Sequence, residues 1–266
     1  MAGLLSIQTE PFINNREKNI EKVENLIDRH KDKKLDLVLF PEFFSTGIPN
    51  SGFVYEVESD SYVLREISRI AKKYNTNICA GSVIEKENDK LYNTMYVIDR
   101  NGDIAAKYRK IHLFSYFGGN EHLTLEKGDK TVTVELDFAI VGLSICFDIR
   151  FPLLYNKLIK SGAEVIVCPN AWCVPIKLQN EIMSLKQEEM KAFIVARASE
   201  NLVYFMSSSL SGSLGSGLKG AGFSSIVSPR AEIMAEAKEL NEALYAEIDL
   251  SLVRKFKKEF PVYKID

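Results

Sequence analysis

Apolar residues recur along this chain with two different periods, and the switches between them mark out its elements. The run "LLSIQT" suits a strand, and "NNREKNIEKVENLIDRHK" follows with Ile20, Val23, Leu26 and Ile27 at helical spacing. Next comes "LDLVLFPE", a continuous apolar run that predicts a strand covered on both faces. "SYVLREISRIAKKYN" reads as a second amphipathic helix, "NICAGSVIEK" as a strand, and "LYNTMYVIDRNGDIAAKYRK" as two strands folded back at Asn101 and Gly102. After "TVTVELDFAIVGLSIC" a helix is expected from near Pro152 to Ser161, then the strand "AEVIVCP". "IMSLKQEEMKAFIVARASEN" is a long helix, and "LVYFMSS", "GFSSIVSP" and "ALYAEIDL" read as strands. The order is mixed α/β with no interior linker, so one domain is the simplest organisation.

Two segments stand out. "SSSLSGSLGSGLKGAG", Ser207 to Gly222, is Gly/Ser-rich and is expected to be an irregular, mobile surface loop, a possible lid. "KKLDLVLFPEFF" and "SGAEVIVCPNAW" echo each other: each leads from a helix into an apolar strand that ends in Pro and a polar residue. As matching strands of two halves they would deliver Glu42 and Asn170 to the same edge as Cys146, where α/β sheets commonly place a site.

Composition narrows the chemistry. With 34 basic and 36 acidic residues there is no electrostatic footprint for nucleic acid or an anionic membrane. The start "MAGLLSIQTEPF" lacks the basic n-region of a signal peptide, and no run is long enough to span a bilayer, so a cytoplasmic protein is expected. Cys79, Cys146, Cys168 and Cys173 show no CxxC spacing and lie in or beside apolar runs, as reduced thiols do. His112 and His122 have no metal-ligand spacing with a Cys or carboxylate pair, so no metal is expected.

In "VGLSICFDIRFP" a cysteine stands where an apolar run gives way to Asp148, Arg150 and Pro152. Cys146 is either a small buried hydrophobe or a nucleophile at a strand end, aimed at the amides of a helix starting near Pro152, which favour thiolate. Glu42, enclosed in "LFPEFF", is either a strand-end carboxylate bonded to backbone or a desolvated acid suited to taking a proton. Lys110 in "KYRKIHLF" reads equally as an exposed strand lysine, and Glu121 in "GGNEHL" as loop charge. Trp172 beside Asn170 either lines a pocket or is packing. Asp148 is a helix cap or the partner of a nearby base, and Arg197 with Glu200 an ion pair.

Taken together, "FPEFFSTG" around Glu42, "YRKIHLF" around Lys110, "GLSICFDIRFP" around Cys146, and "RASEN" with "AEIDL" further on make the chain resemble the nitrilase superfamily of carbon–nitrogen hydrolases over nearly its full length. The resemblance implies one such domain over residues 1–266, a four-layer αββα sandwich, a homodimer or higher homo-oligomer, and no metal or organic cofactor. It implies a Glu42–Lys110–Cys146 triad, with Glu121 as the second glutamate that positions substrate and Lys110. Glu42 would take the thiol proton, the thiolate would attack a small-molecule amide, and Lys110 would stabilise the oxyanion.

"CFDIRFP" resembles the amidase and carbamoylase branches, in which the arginine four residues beyond the cysteine can pair with a substrate carboxylate. Arg150 is then a substrate-binding residue, alongside Asn170 and Trp172, or else a brace paired with Asp148 or another acid. Amide hydrolysis with release of ammonia is expected, with N-carbamoyl amino acid hydrolysis or nitrile hydrolysis as the alternatives. A non-catalytic binding subunit is disfavoured because all three triad residues are present.

Overall fold

Strands read from unbroken apolar runs need cover on both faces, and the tertiary structure supplies it. The computed structural model describes residues 1–48, 54–116 and 119–261. Among them an eight-stranded sheet runs in the order Glu242–Ile248, Ala2–Gln8, Leu37–Leu39, Asn77–Cys79, Lys90–Ile98, Val83–Glu87 and Tyr55–Glu56, with Ile104–Arg109 also paired to Lys90–Ile98. A six-stranded sheet runs Ile233–Glu236, Ser225–Val227, Tyr204–Ser209, Val165–Asn170, Ile140–Leu143 and Thr133–Glu135.

Alternation along the strands assigns the layers. Leu5, Ile7, Val38, Ile78 and Tyr96 form one core with helices α1 (Arg16–Asp28) and α2 (Tyr62–Tyr74). Leu4, Leu37, Leu39, Met95 and Val97 belong to another, shared with the second sheet and with α3 (Pro152–Lys160) and α4 (Gln179–Asn201). The result is helix, sheet, sheet, helix: an αββα sandwich. Each fully buried Leu or Ile here contributes roughly 1.5–3 kcal/mol. No helix among the described residues is long and apolar enough to cross a membrane.

The echo between the two halves is structural. Leu37–Leu39 has a parallel neighbour on each side in the first sheet, as Val165–Asn170 has in the second. The short strands Tyr55–Glu56, Cys173–Pro175 and Ile233–Glu236 and helix α5 (Leu250–Glu259) escaped the periodicity, and the single strand expected over "NICAGSVIEK" is two, Asn77–Cys79 and Val83–Glu87, with Lys90–Ile98 between them in the sheet.

The Gly/Ser-rich segment corrects its expectation as an irregular loop. Ser211–Gly215 and Leu218–Ala221 form a hairpin whose second strand also pairs with Cys173–Pro175. Small residues stand here because backbones approach closely: a Cβ on Gly220 would lie 2.6 Å from the Leu210 carbonyl oxygen. The serine hydroxyls are bonded as well, Ser208 donating to the Ile7 carbonyl and Ser209 to Asn170 Oδ1. Composition alone could not distinguish a flexible segment from one whose side chains must be small to fit.

Candidate active site

The end of the strand Leu37–Leu39 delivers Glu42 into a tight turn, with Phe43 at φ 52°. Two neighbours hold this turn. Ser82 Oγ accepts from the Phe43 N–H at 3.2 Å, and Gly81, at φ +54°, lets the Pro41 carbonyl come within 1.9 Å of where a Cβ would stand. Lys110 follows directly on the strand Ile104–Arg109, and its N–H donates to the Asn93 carbonyl at 2.9 Å. Strand alternation turns Arg109 outward to Glu85 and Lys110 inward.

Inside, Lys110 Nζ lies 2.9 Å from Glu42 Oε1 and 2.9 Å from Glu121 Oε1. Glu121 sits in the 3₁₀ turn Glu121–Leu123, and its Oε2 accepts from the Phe114 N–H at 2.7 Å. Burial alone would lower the Lys110 pKa, but Glu121, Glu42 and Cys146 around it outweigh this and hold the ammonium well above its ordinary value. The Glu121 carboxyl is pushed up by burial, opposed by Lys110 and reinforced by Glu42.

Cys146 is buried with φ 48°. The strand expected to end at this residue stops at Leu143, and a 3₁₀ turn, Cys146–Arg150, separates the thiol from the start of α3. The expectation of a thiolate favoured by helix-terminal amides is corrected accordingly. Burial first and then Glu42 push the thiol well above its ordinary value, against the pull of Lys110 and the Ala171 N–H. The resting group is a thiol that must give up its proton, and the Glu42 carboxylate lies within hydrogen-bonding range of it.

The nucleophile turn is tied to the lysine segment by Asp148. Its Oδ2 accepts from Tyr108 Oη at 2.7 Å and the Ile145 N–H at 2.9 Å, while Oδ1 meets His112 at both its N–H, 3.0 Å, and Nδ1, 2.7 Å. The His112 ring stacks on Phe151 at 3.5 Å. Asp148 thus both caps the turn and pairs with a base, the two roles its sequence position offered, whereas Asn93, whose Nδ2 donates to Glu42 Oε1 at 2.8 Å, was missed in the sequence. The available signal was a polar residue inside the apolar run "LYNTMYVI".

The other three sequence candidates bond groups outside this cluster. Asn170 is buried, with Nδ2 donating to Ser207 at 2.8 Å and Oδ1 accepting from Ser209, so its amide joins two strands. Arg150 pairs with Glu189 on α4 and lies over Trp172, 5.1 Å from the ring centroid, and Phe193 at 4.8 Å. Lys186 also donates to Glu189, at 2.7 Å, and lies over the same Trp172 ring. Arg197 bonds Glu200 at 2.7 Å and the Ile149 carbonyl at 2.9 Å. Among the described residues no group of three or more His, Cys, Asp or Glu side chains is placed to share a metal ion.

Comparison with known proteins agrees with this architecture. The sequence pattern of the carbon–nitrogen hydrolases matches residues 5–258. The chain is 32% identical to the 2-oxoglutaramate amidase of Bacillus subtilis, covering 92% of this chain and 90% of that one. It is 34% identical to a nitrilase of Pyrococcus abyssi, covering 96% and 92%. The crystal structure of Saccharomyces cerevisiae Nit3, a member of branch 10 of the nitrilase superfamily, superposes with a TM-score of 0.83 at 27% identity, covering 99% of this chain and 96% of that one. The chain belongs to the carbon–nitrogen hydrolase family, and it is an amidase-type hydrolase.

Proposed function

We propose that residues 1–266 form one catalytic domain that hydrolyses the terminal amide of a small carboxylate-bearing substrate, of the 2-oxo acid ω-amide class, through a thioester on Cys146. The observation that carries this reading is the buried cluster in which Lys110 bridges Glu42 and Glu121 beside the Cys146 thiol.

The chemistry follows from the state of each group. Because the thiol rests protonated, attack needs a base in place, and Glu42 takes the Sγ proton as sulfur adds to the amide carbon. The oxygen gains charge as the C–S bond forms. Lys110 is a fixed cation with three donors, two of them spent on Glu42 and Glu121, which leaves one for that oxygen beside the backbone N–H following Cys146. Collapse of the adduct breaks the C–N bond, Glu42 returns the proton to nitrogen, and ammonia leaves. Water then adds to the thioester with Glu42 accepting its proton, the C–S bond breaks, and the acid departs as the thiol is restored. Glu121 shares the ammonium and fixes its position.

The substrate class rests on the relation to the Bacillus subtilis 2-oxoglutaramate amidase and on Arg150 and Lys186, two cations beside Trp172. Nitrile hydrolysis is a second reading, favoured by the identity to the Pyrococcus abyssi nitrilase. Ammonia release measured against 2-oxoglutaramate, carbamoyl amino acids and aliphatic nitriles decides between them: turnover of nitriles alone removes the amidase reading, and turnover of none removes both.

The same reading includes a homodimer working in the cytoplasm. Exposed Leu153 and Leu185, at 76% and 69% on α3 and α4, support the first, and the free cysteines support a reducing compartment. A light-scattering mass near the single chain's 30.1 kDa at micromolar concentration would end the dimer reading.

A further inference from the structure

Asn93 lies in the middle of the strand Lys90–Ile98, completely buried. Its backbone carbonyl accepts from the Lys110 N–H at 2.9 Å, and its side-chain Nδ2 donates to Glu42 Oε1 at 2.8 Å. One residue therefore touches both the segment that carries the ammonium and the carboxylate that faces the thiol. Its Oδ1 is buried and meets no hydrogen-bond partner among the described residues.

The unsatisfied oxygen is informative. A buried acceptor without a donor is costly, and an asparagine in a neutral setting would turn its amide to share the loss. Here it cannot, because a carboxylate only accepts, so the nitrogen must face Glu42 and the oxygen is left over. A residue present only for packing would be better served by an apolar side chain, which has no orphan.

The second relevant fact is which oxygen is held. Lys110 Nζ and Asn93 Nδ2 both bond Oε1. A carboxylate anchored by Lys110 alone can pivot about that single bond. With two donors on one oxygen its plane is fixed, and Oε2 is the oxygen without a bond from either.

We propose that Asn93 is the positioning residue for the proton transfer: it fixes the plane of Glu42 through Oε1, so that Oε2 is presented to the Cys146 thiol. The inference rests on Glu42 acting as the base. Asn93 touches neither substrate nor sulfur and acts only through Glu42. A misaligned base costs rate without costing substrate affinity, because the thiol must lose its proton as the new bond forms.

A double-mutant cycle tests this. Asn93→Leu is expected to stay folded, while kcat on 2-oxoglutaramate falls about 10- to 100-fold and KM changes less than about 3-fold. Alkylation of Cys146 by iodoacetamide, followed by mass spectrometry, is expected to slow in parallel. In a Glu42→Gln background the same substitution should change the alkylation rate by less than about 2-fold, since the group it positions is gone. A folded Asn93→Leu with wild-type kcat and alkylation rate overturns the proposal, as does an equal loss in both backgrounds. If Asn93→Leu does not accumulate as folded protein, Asn93→Ala runs the same cycle with the same outcomes. Should the wild type hydrolyse no amide or nitrile, the reading of the site as an amidase fails; the alkylation arm needs no substrate and still decides the role of Asn93.

Discussion

Lys110 Nζ and Glu42 Oε1 stand 2.9 Å apart with their side chains 1% and 2% exposed, an ion pair withdrawn from water. Such a pair contributes little to stability when intact, because desolvation offsets the attraction, yet it is expensive to break from one side. Glu121 bonds the same ammonium, while burial first and then Glu42 hold the nearby thiol well above its ordinary value, so it is neutral at rest. The cluster is built to receive a proton and then to face a new anion on the substrate.

Removing the cation exposes that imbalance. Lys110→Met is expected to abolish turnover and to destabilise the fold by about 3–5 kcal/mol at neutral pH, since two buried carboxyls then face each other. Glu121, already pushed up by burial and then without the opposing Lys110, binds its proton more tightly than the unfolded chain does, so the variant loses stability as pH rises and regains it toward pH 5. Adding Glu42→Gln to Lys110→Met should recover part of the loss. Thermal melts across pH check this, and a pH-independent loss in Lys110→Met would contradict it.

For the nucleophile, Cys146→Ser should fold normally and lose about 1,000-fold or more in turnover. Mass spectrometry of the wild type with a slow amide substrate should find the acyl group on Cys146. Burial raises the other thiols too, Cys168 to about 12, Cys173 to about 11 and Cys79 higher still, and what sets Cys146 apart is the hydrogen-bonding range of the Glu42 carboxylate. An adduct on Cys173 with Cys146 free would reassign the chemistry.

At Glu85, on the strand Val83–Glu87, a pH-dependent brace is expected. Burial by itself would raise the Glu85 pKa, but bonds from Arg109, Lys107 and Thr94 outweigh it and hold the carboxyl at about 2. A depressed pKa gives stability that is present above the ordinary value of 4.5 and is lost as pH falls toward 2. After allowance for solvent at the two cations this amounts to about 1–2 kcal/mol. Denaturant titrations of Glu85→Gln should show a lower stability at pH 6 and a flatter acid limb between those values; an unchanged slope would refute it.

Arg150 is the specificity test. Glu189 occupies both Arg150 and Lys186, so a substrate carboxylate has to compete for them. Arg150→Lys keeps the charge and loses the planar fork, and it should raise KM for 2-oxoglutaramate about 10-fold while sparing a neutral amide. Glu189→Gln should lower KM for the same substrate. An equal fall in activity on both amides in Arg150→Lys would make Arg150 a brace on α4.

Much of the sandwich could be read from periodicity, because a strand with cover on both faces must be apolar throughout and a surface helix must be amphipathic. "LDLVLFPE" and "AEVIVCP" became central strands of the two sheets for that reason. The hairpin at Ser211–Ala221 could not be read so, since glycine and serine signal flexibility and close packing alike. Glu42, Lys110, Glu121 and Cys146 were legible only as a resemblance of motifs, each having an ordinary reading when taken alone.

The sequence by itself determined the order of elements, the mixed α/β class and a short set of candidate residues, all of which depend on local spacing and side-chain type. Only the tertiary structure decided that Lys110 stands between two carboxylates, that Asn93 holds one of them, that Asp148 joins His112 to the nucleophile turn, and that Arg150 faces Glu189. Glu42 and Cys146 are far apart along the chain and come together because their strands end at the same edge of two different sheets. Contacts of that kind depend on how whole layers pack, and the period of a hydrophobic pattern carries no information about which strand ends will meet.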